Sequence, residues 1–375
     1  MNKIQLSTSH LSASEIKYVK NAFNENNISI YGDNVDGFEN DIQKYLGVNC
    51  NVLCTNSGTS ALHLALILAG VKKGDEVICQ SFTYVATVNP ILYIGAKPIF
   101  IDSGYDNWNL CPLQLEIAVK DRVNKGNTPK AIVIVHSYGM PAKMQEIIFI
   151  AKKYNIPIIE DAAAAMGAEY KGQKCGTFGD FGVFSFNGNK IITTGGGGGL
   201  ICKSEKIKRK ALFLATQSRE KNDFYQHKEI GYNYRINNIL AGIGRGQMHV
   251  LEERINQRRN NHSFYTSFFN NIAGIEIVKE ESSFSFSNHW LNCILIDHKK
   301  TGFLKEDLRL SLLNDNIESR YMWKPMHLQP LFKKYQYFGT NIAEQLFKKG
   351  LCLPSGSNLT RNDLERISNS IKKIL

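Results

Sequence analysis

The chain has 375 residues, 43% of them hydrophobic and 21% charged, and carries a formal charge of +11. That composition is of an ordinary folded protein and excludes a disordered, fibrous or low-complexity chain. The length suggests two domains or one large domain with an appendage. No apolar run approaches the roughly 18 residues of a membrane span, and the first ten residues are polar where a signal peptide needs an apolar stretch. A cytoplasmic protein is expected.

Between residues 51 and 202, short β-branched runs alternate with helical patterns. The runs cover 52–54, 76–79, 98–101, 131–135, 156–159, 183–186 and 200–202, and helical spacing fills 61–69, 85–94 and 144–154. Unbroken apolar runs predict strands covered on both faces, hence an α/β architecture with a mostly parallel sheet. From Asn238 one long helix is predicted to reach about Phe269, with Ile239, Ile243, Met248, Leu251 and Ile255 near one stripe. Beyond it, short strands at 275–278 and 291–296 and helices at 305–313 and 361–374 describe a smaller α+β domain. The predicted domains are 1–250 and 251–375.

Eight cysteines are scattered, several inside apolar runs, and read as core thiols. Cys50 and Cys54 have no histidine cluster beside them, so no metal site is expected. Much of the excess positive charge is carried by lysines towards the C-terminal end, mostly in isolated pairs. Solvated faces and an anionic small-molecule substrate explain them better than a nucleic acid, and no nucleic-acid or membrane partner is expected.

Three segments carry chemistry. Asn56-Ser57-Gly58-Thr59-Ser60-Ala61-Leu62-His63 follows a strand and opens a helix, where free N–H groups and hydroxyls suit a phosphate; plain helix capping is the alternative. Glu160-Asp161 ends a buried strand, where ligands collect in open parallel sheets, and a buried Asp161 needs a positive partner or a proton. Capping of the Ala-rich segment after it is the other reading. Lys190, between the turn Asn187-Gly188-Asn189 and the run Gly195 to Gly199, suits a lysine forming a Schiff base with a carbonyl cofactor. The glycines read as a flexible loop or as a close approach of backbone to a ligand.

Taken in order with Ser81-Phe82-Thr83-Tyr84-Val85-Ala86-Thr87, Gly176-Thr177-Phe178-Gly179-Asp180 and Gly231-Tyr232-Asn233-Tyr234-Arg235, these segments resemble the pyridoxal 5'-phosphate (PLP) dependent sugar aminotransferases of the DegT/DnrJ/EryC1/StrS family. The resemblance spans nearly the whole chain. It implies the type I PLP-transferase fold of aspartate aminotransferase and a homodimer with shared active sites. It further implies that Lys190 binds the cofactor and moves protons, that Asp161 pairs with the ring nitrogen, and that Tyr84 stacks on the ring. Gly58, Thr59, Ser60 and Ser185 would hold the phosphate, completed by Asn233 or Arg235 of a neighbouring subunit.

Ala164 stands where relatives often carry Gln, His or Glu. Position 190 is Lys rather than the His of the family's sugar 3-dehydratases, which favours transamination over elimination. Segments 187–194, 216–220, 318–327 and 350–356 look like those of UDP-4-keto-6-deoxy-N-acetylglucosamine 4-aminotransferases, the bacillosamine-pathway branch. They make Arg219, Arg320 and His327 candidate substrate contacts, with L-glutamate as amino donor; Arg320 and Trp323 also read as domain-interface residues. GDP- or dTDP-linked sugars, amination at C3, a related dehydratase and a non-catalytic regulator are the competing readings.

Overall fold

The computed structural model describes residues 2–47, 50–280 and 284–375. The expected apolar runs form strands. In chain order the strands are β1 (Asn51–Thr55), β2 (Glu76–Gln80), β3 (Lys97–Ile101), β4 (Ala131–Val135), β5 (Ile158–Asp161), β6 (Glu169–Tyr170), β7 (Gln173–Lys174) and β8 (Phe181–Ser185). They continue with β9 (Gly198–Cys202), β10 (Ile275–Ile277), β11 (Ser285–Phe286), β12 (Asn292–Ile296), β13 (Arg320–Tyr321), β14 (Tyr337–Phe338) and β15 (Gly350–Leu353).

Eight strands make one sheet in the order β1-β9-β8-β5-β4-β2-β3-β14. It is parallel from β8 to β14, and only β9 runs against its neighbours. Because successive side chains point to opposite faces, Val77, Cys79, Val133 and Ile159 enter one apolar layer, while Ile78, Ile132, Ile134 and Ile158 enter another. Helix Gly58–Leu68 covers the first face, and Pro112–Asn124 with Met144–Lys153 covers the second. This is the α/β arrangement with a mostly parallel sheet that the sequence predicts.

The antiparallel sheet β10-β12-β15-β13 lies over a separate core that includes Tyr265, Phe269, Ile294, Leu308, Leu353 and Ile367. Two segments cross between the units. Ile4 bridges to Ile317 and joins the smaller core, whereas β14 returns to pair with β3 and Phe332 packs on Phe100. We propose a division near residue 250 with those two segments exchanged. Among the described residues no helix is long and apolar enough to cross a membrane.

The single long helix predicted from Asn238 is two helices, Asn238–Met248 and Leu251–Phe269. At the break the N–H groups of His249 and Val250 bond three residues back, to Gly246 and Gln247, and Val250 leaves helical geometry at φ −114, ψ 6. The first helix is packed by two more that the sequence reading did not include, Ser14–Asn24 and Asp33–Leu46. Close approach explains its glycines: a Cβ on Gly244 would stand 2.5 Å from the Phe38 ring. Gly244→Val should therefore overpack this joint and lower the unfolding free energy by about 2 kcal/mol, read as an earlier urea midpoint. Wild-type stability in that variant would show that Phe38 does not fill the space.

Candidate active site

β5 lies fourth of the eight strands, between parallel neighbours β8 and β4, so its C-terminal tip opens where such sheets collect ligands. There the strand alternation separates two neighbouring acids. Glu160 turns inward, accepts the N–H groups of Gly176, Phe178 and Gly179 at 2.8, 2.6 and 2.7 Å, and meets His136 Nε2 at 2.9 Å. Asp161 turns into a cleft of about 570 Å³. It is 5% exposed, accepting from Thr87 Oγ1 at 2.7 Å and the Ala163 N–H at 3.1 Å. Burial pushes its carboxyl above the usual range, although these hydrogen bonds and the Lys190 charge pull the other way. No helix follows it, so the capping alternative falls away.

Lys190 enters the same cleft from the turn after β8, where its N–H bonds to Asn187 O at 3.0 Å. Burial lowers its amine to about 8; Asp161 opposes that shift and Arg258 adds to it. At pH 7 about a tenth of such amines are neutral, several hundred times the share for an ordinary lysine. Its ammonium stands 4.1 Å from the centre of the Trp290 ring.

The helix beginning at Gly58 supplies the third wall. Ser57 Oγ accepts from the Ser60 N–H at 3.1 Å, while the first N–H groups of a helix have no partner within it. Gly58, Thr59 and Ser185 line the cleft, and Tyr84, 59% exposed, stands at its mouth. Ser60 is buried and its hydroxyl turns to Asn56 Oδ1 (2.6 Å) and Ser57 Oγ (2.8 Å). Within the glycine run, Gly198 lies so close to the helix start that a Cβ would meet Ser57 C at 2.4 Å. At Gly198 the close approach is thus backbone to backbone, while Gly196 and Gly197 line the cleft.

Other expected residues are placed elsewhere. Arg235 is buried in an ion pair with Glu39 and donates to Cys54 O at 3.1 Å; it is engaged inside its own chain and is not available to a phosphate on a neighbouring subunit. Asn233 is exposed, and its carbonyl accepts from Asn56 Nδ2 at 3.0 Å. Arg219 is exposed with its guanidinium 4.3 Å from the Tyr225 ring centre. His327 sits between Ser81 Oγ (2.6 Å) and Glu344 (3.2 Å) and stacks on Tyr337, so it fastens the β14 segment rather than facing the cleft. Arg320 reaches the cleft rim, paired with Glu318 at 2.7 Å.

The cleft also holds residues to which sequence reasoning gave no role here: Thr87, Tyr138, Trp290 and Trp323. Thr87 lay inside a quoted motif, but its bond to Asp161 needs the fold. Tyr138 and Trp323 stack with ring centres 4.0 Å apart. Ala164 lines the cleft as well, and its carbonyl accepts from Asn288 Nδ2 at 3.0 Å.

The model of the DegT/DnrJ/EryC1/StrS aminotransferase family matches residues 9–372. The chain belongs to this family. It is a PLP-dependent aminotransferase of nucleotide-linked sugars. It is 46% identical to EpsN of Bacillus subtilis (strain 168), over 97% of this chain and 94% of that one. It is 37% identical to the GDP-perosamine synthase of Escherichia coli O157:H7, over 97% and 96%. The solved structure of Helicobacter pylori PseC, an aminotransferase involved in the biosynthesis of pseudoaminic acid, superposes with a TM-score of 0.90 at 26% identity, covering 100% of this chain and 99% of that one.

The donor set fits PLP. A carboxylate, a partly neutral amine, helix-start N–H groups and an exposed aromatic ring share one cleft of adequate volume. Arg235 supplies a test of what lies outside that set. Arg235→Met should leave Glu39 with Lys208 and the Cys54 N–H and cost about 3 kcal/mol of stability. PLP affinity measured under folding conditions should stay near that of the wild type. A variant of normal stability that has lost PLP would place Arg235 in the phosphate site after all.

Proposed function

We propose that this aminotransferase acts on a UDP-linked 2-acetamido-2,6-dideoxy-4-keto-hexose, taking the amino group of L-glutamate and giving the 4-amino sugar and 2-oxoglutarate for glycan or surface-polysaccharide synthesis. The observation that carries the reading is the shared cleft of Lys190 and Asp161, closed on one side by the helix start at Gly58. In this reading Lys190 would carry PLP on its side-chain amine and Asp161 would pair with the ring. Tyr84 covers the ring, while Gly58, Thr59 and Ser185 hold the phosphate.

When bound, PLP acts as the electron sink that stabilises negative charge on the carbon bearing nitrogen. The chain does the rest. Lys190 Nζ, lowered to about 8, accepts a proton near neutral pH and returns it as ammonium. At the strand tip Thr87 and the Ala163 N–H stand in for water around Asp161 and favour its charged form against burial. Arg320, a planar cation at the rim, suits the diphosphate.

A homodimer in the cytoplasm belongs to the same reading. Eight free cysteines suit a reducing compartment, and Cys293 and Cys352 remain thiols at 3.5 Å. The likeness to a GDP-perosamine synthase favours a second reading, a GDP-linked keto sugar.

Incubation with glutamate and a panel of UDP-, GDP- and dTDP-linked keto sugars, followed by mass and NMR, decides between them. The UDP-linked N-acetyl 4-keto sugar should show a kcat/KM at least about tenfold above the others, with 2-oxoglutarate formed in equal amount. Preferred turnover of the GDP sugar would overturn the UDP assignment. Lys190→Ala should lose more than about a thousandfold in kcat; wild-type turnover in that protein would end the mechanism. The kcat of the wild type should rise with pH towards a limb near 8 where Lys190 acts as base, measured on the half-reaction with glutamate.

A further inference from the structure

One strong contact of Lys190 has no role in the reaction as described. The indole of Trp290 lies under the amine, its ring centre 4.1 Å from Nζ. Its Nε1–H also donates to the carbonyl of Asn189, the residue before the lysine, at 2.7 Å. A single side chain therefore meets both the charge of Lys190 and the backbone that carries it.

Trp290 is itself held from several directions. Its carbonyl accepts from Arg258 Nη1 at 2.6 Å, and its N–H donates to Asn288 Oδ1 at 3.0 Å. The Asn288 amide in turn donates to Ala164 O and Met166 O at 3.0 and 2.8 Å, just beyond Asp161 in the chain. Ser7 Oγ donates to Asn189 O at 2.9 Å while accepting from Arg258 Nη2 at 3.0 Å. The lysine turn, the segment after β5, the N-terminal segment and the approach to β12 are thus tied into one network around the indole.

We propose that Trp290 is a positioning residue that holds the free amine of Lys190 as an ammonium against its ring, ready to deliver a proton. The inference rests on the reading of Lys190 as the PLP lysine. Its physics is a balance. Burial strips water from the ammonium and favours the neutral amine, and the buried Arg258 cation pushes the same way. Asp161, at the tip of β5, pushes back. The negative face of an indole adds a second opposing attraction, strongest where water is excluded. Tyr84, Tyr138, Tyr321, Arg320 and Cys352 complete the ionisable lining of the cleft. The indole's share of this balance keeps a proton on Nζ at neutral pH after the lysine has been released.

The test weakens the ring without changing its shape. Cofactor-free protein is prepared with its three tryptophans replaced by mono-, di- and trifluorinated analogues. The pKa of Lys190 is then taken from the pH dependence of its acetylation by acetic anhydride, quantified on the peptide containing it. The pKa should fall stepwise with fluorination, by about half to one unit at the trifluoro stage. A Trp290→Phe protein labelled in the same way keeps an aromatic face free of fluorine, and its pKa should not respond to the label. A lysine pKa constant across the fluorinated series overturns the proposal, as does an equal fall in the labelled Trp290→Phe protein. Borohydride reduction of the PLP-loaded wild type separates the two readings: PLP trapped on Lys190 with an unresponsive pKa removes only the role of Trp290, whereas trapping elsewhere removes the PLP lysine itself.

Discussion

An amine and a carboxylate buried in one cleft, each driven towards its neutral form by the loss of water, set the terms for the groups around them. Lys190 is lowered to about 8 and Asp161 is raised. Each shift is opposed, because each charge finds substitutes for water. For Asp161 these are Thr87 and the Ala163 N–H; for Lys190 they are the carboxylate and the indole face. A group poised between its two protonation states is what proton transfer near neutral pH requires.

The scaffold delivers this balance through the period of a strand. Glu160 and Asp161 are neighbours, yet one faces packed structure and the other the cleft. The Gly176-Thr177-Phe178-Gly179-Asp180 segment serves the inward acid: three of its N–H groups solvate Glu160, and Asp180 accepts from the Ile158 N–H at 2.9 Å. Gly176 is a packing requirement, since a Cβ there would stand 2.7 Å from the Phe184 ring, and a Cβ on the adjacent strand residue Gly182 would stand 1.9 Å from Gly176 O. This loop is thus a structural support for the strand whose tip carries Asp161, and not part of the cleft lining.

Legibility followed the range of the interaction. Strands β1 to β5, β8 and β9 were readable because apolar runs report local burial, and the helix start at Gly58 was readable from its capping residues. Helix Asp33–Leu46 does carry a local period in Val35, Phe38, Ile42 and Leu46, but the partners that receive it are distant: Gly244 receives Phe38, and Asn238 Oδ1 accepts from the Asn34 N–H at 3.0 Å. The break at His249 and Val250 was hidden because one apolar stripe continues across it. Arg235 and His327 show the converse. Polar side chains near a motif suggested ligand contacts, but Arg235 meets Glu39 from far away in sequence, and His327 is held between Ser81 and Glu344.

By itself the sequence determined the layered α/β class and the order of the motifs, since each depends on residue type and local pattern. Tertiary structure alone decided which acid of Glu160-Asp161 enters the cleft, which cations are already neutralised, and that Trp290, a hundred residues beyond Lys190, lies beneath its amine. Those outcomes depend on long-range contacts and on dehydration. Neither has a local signature, because a side chain's charge and partners are fixed only when the chain has closed around it.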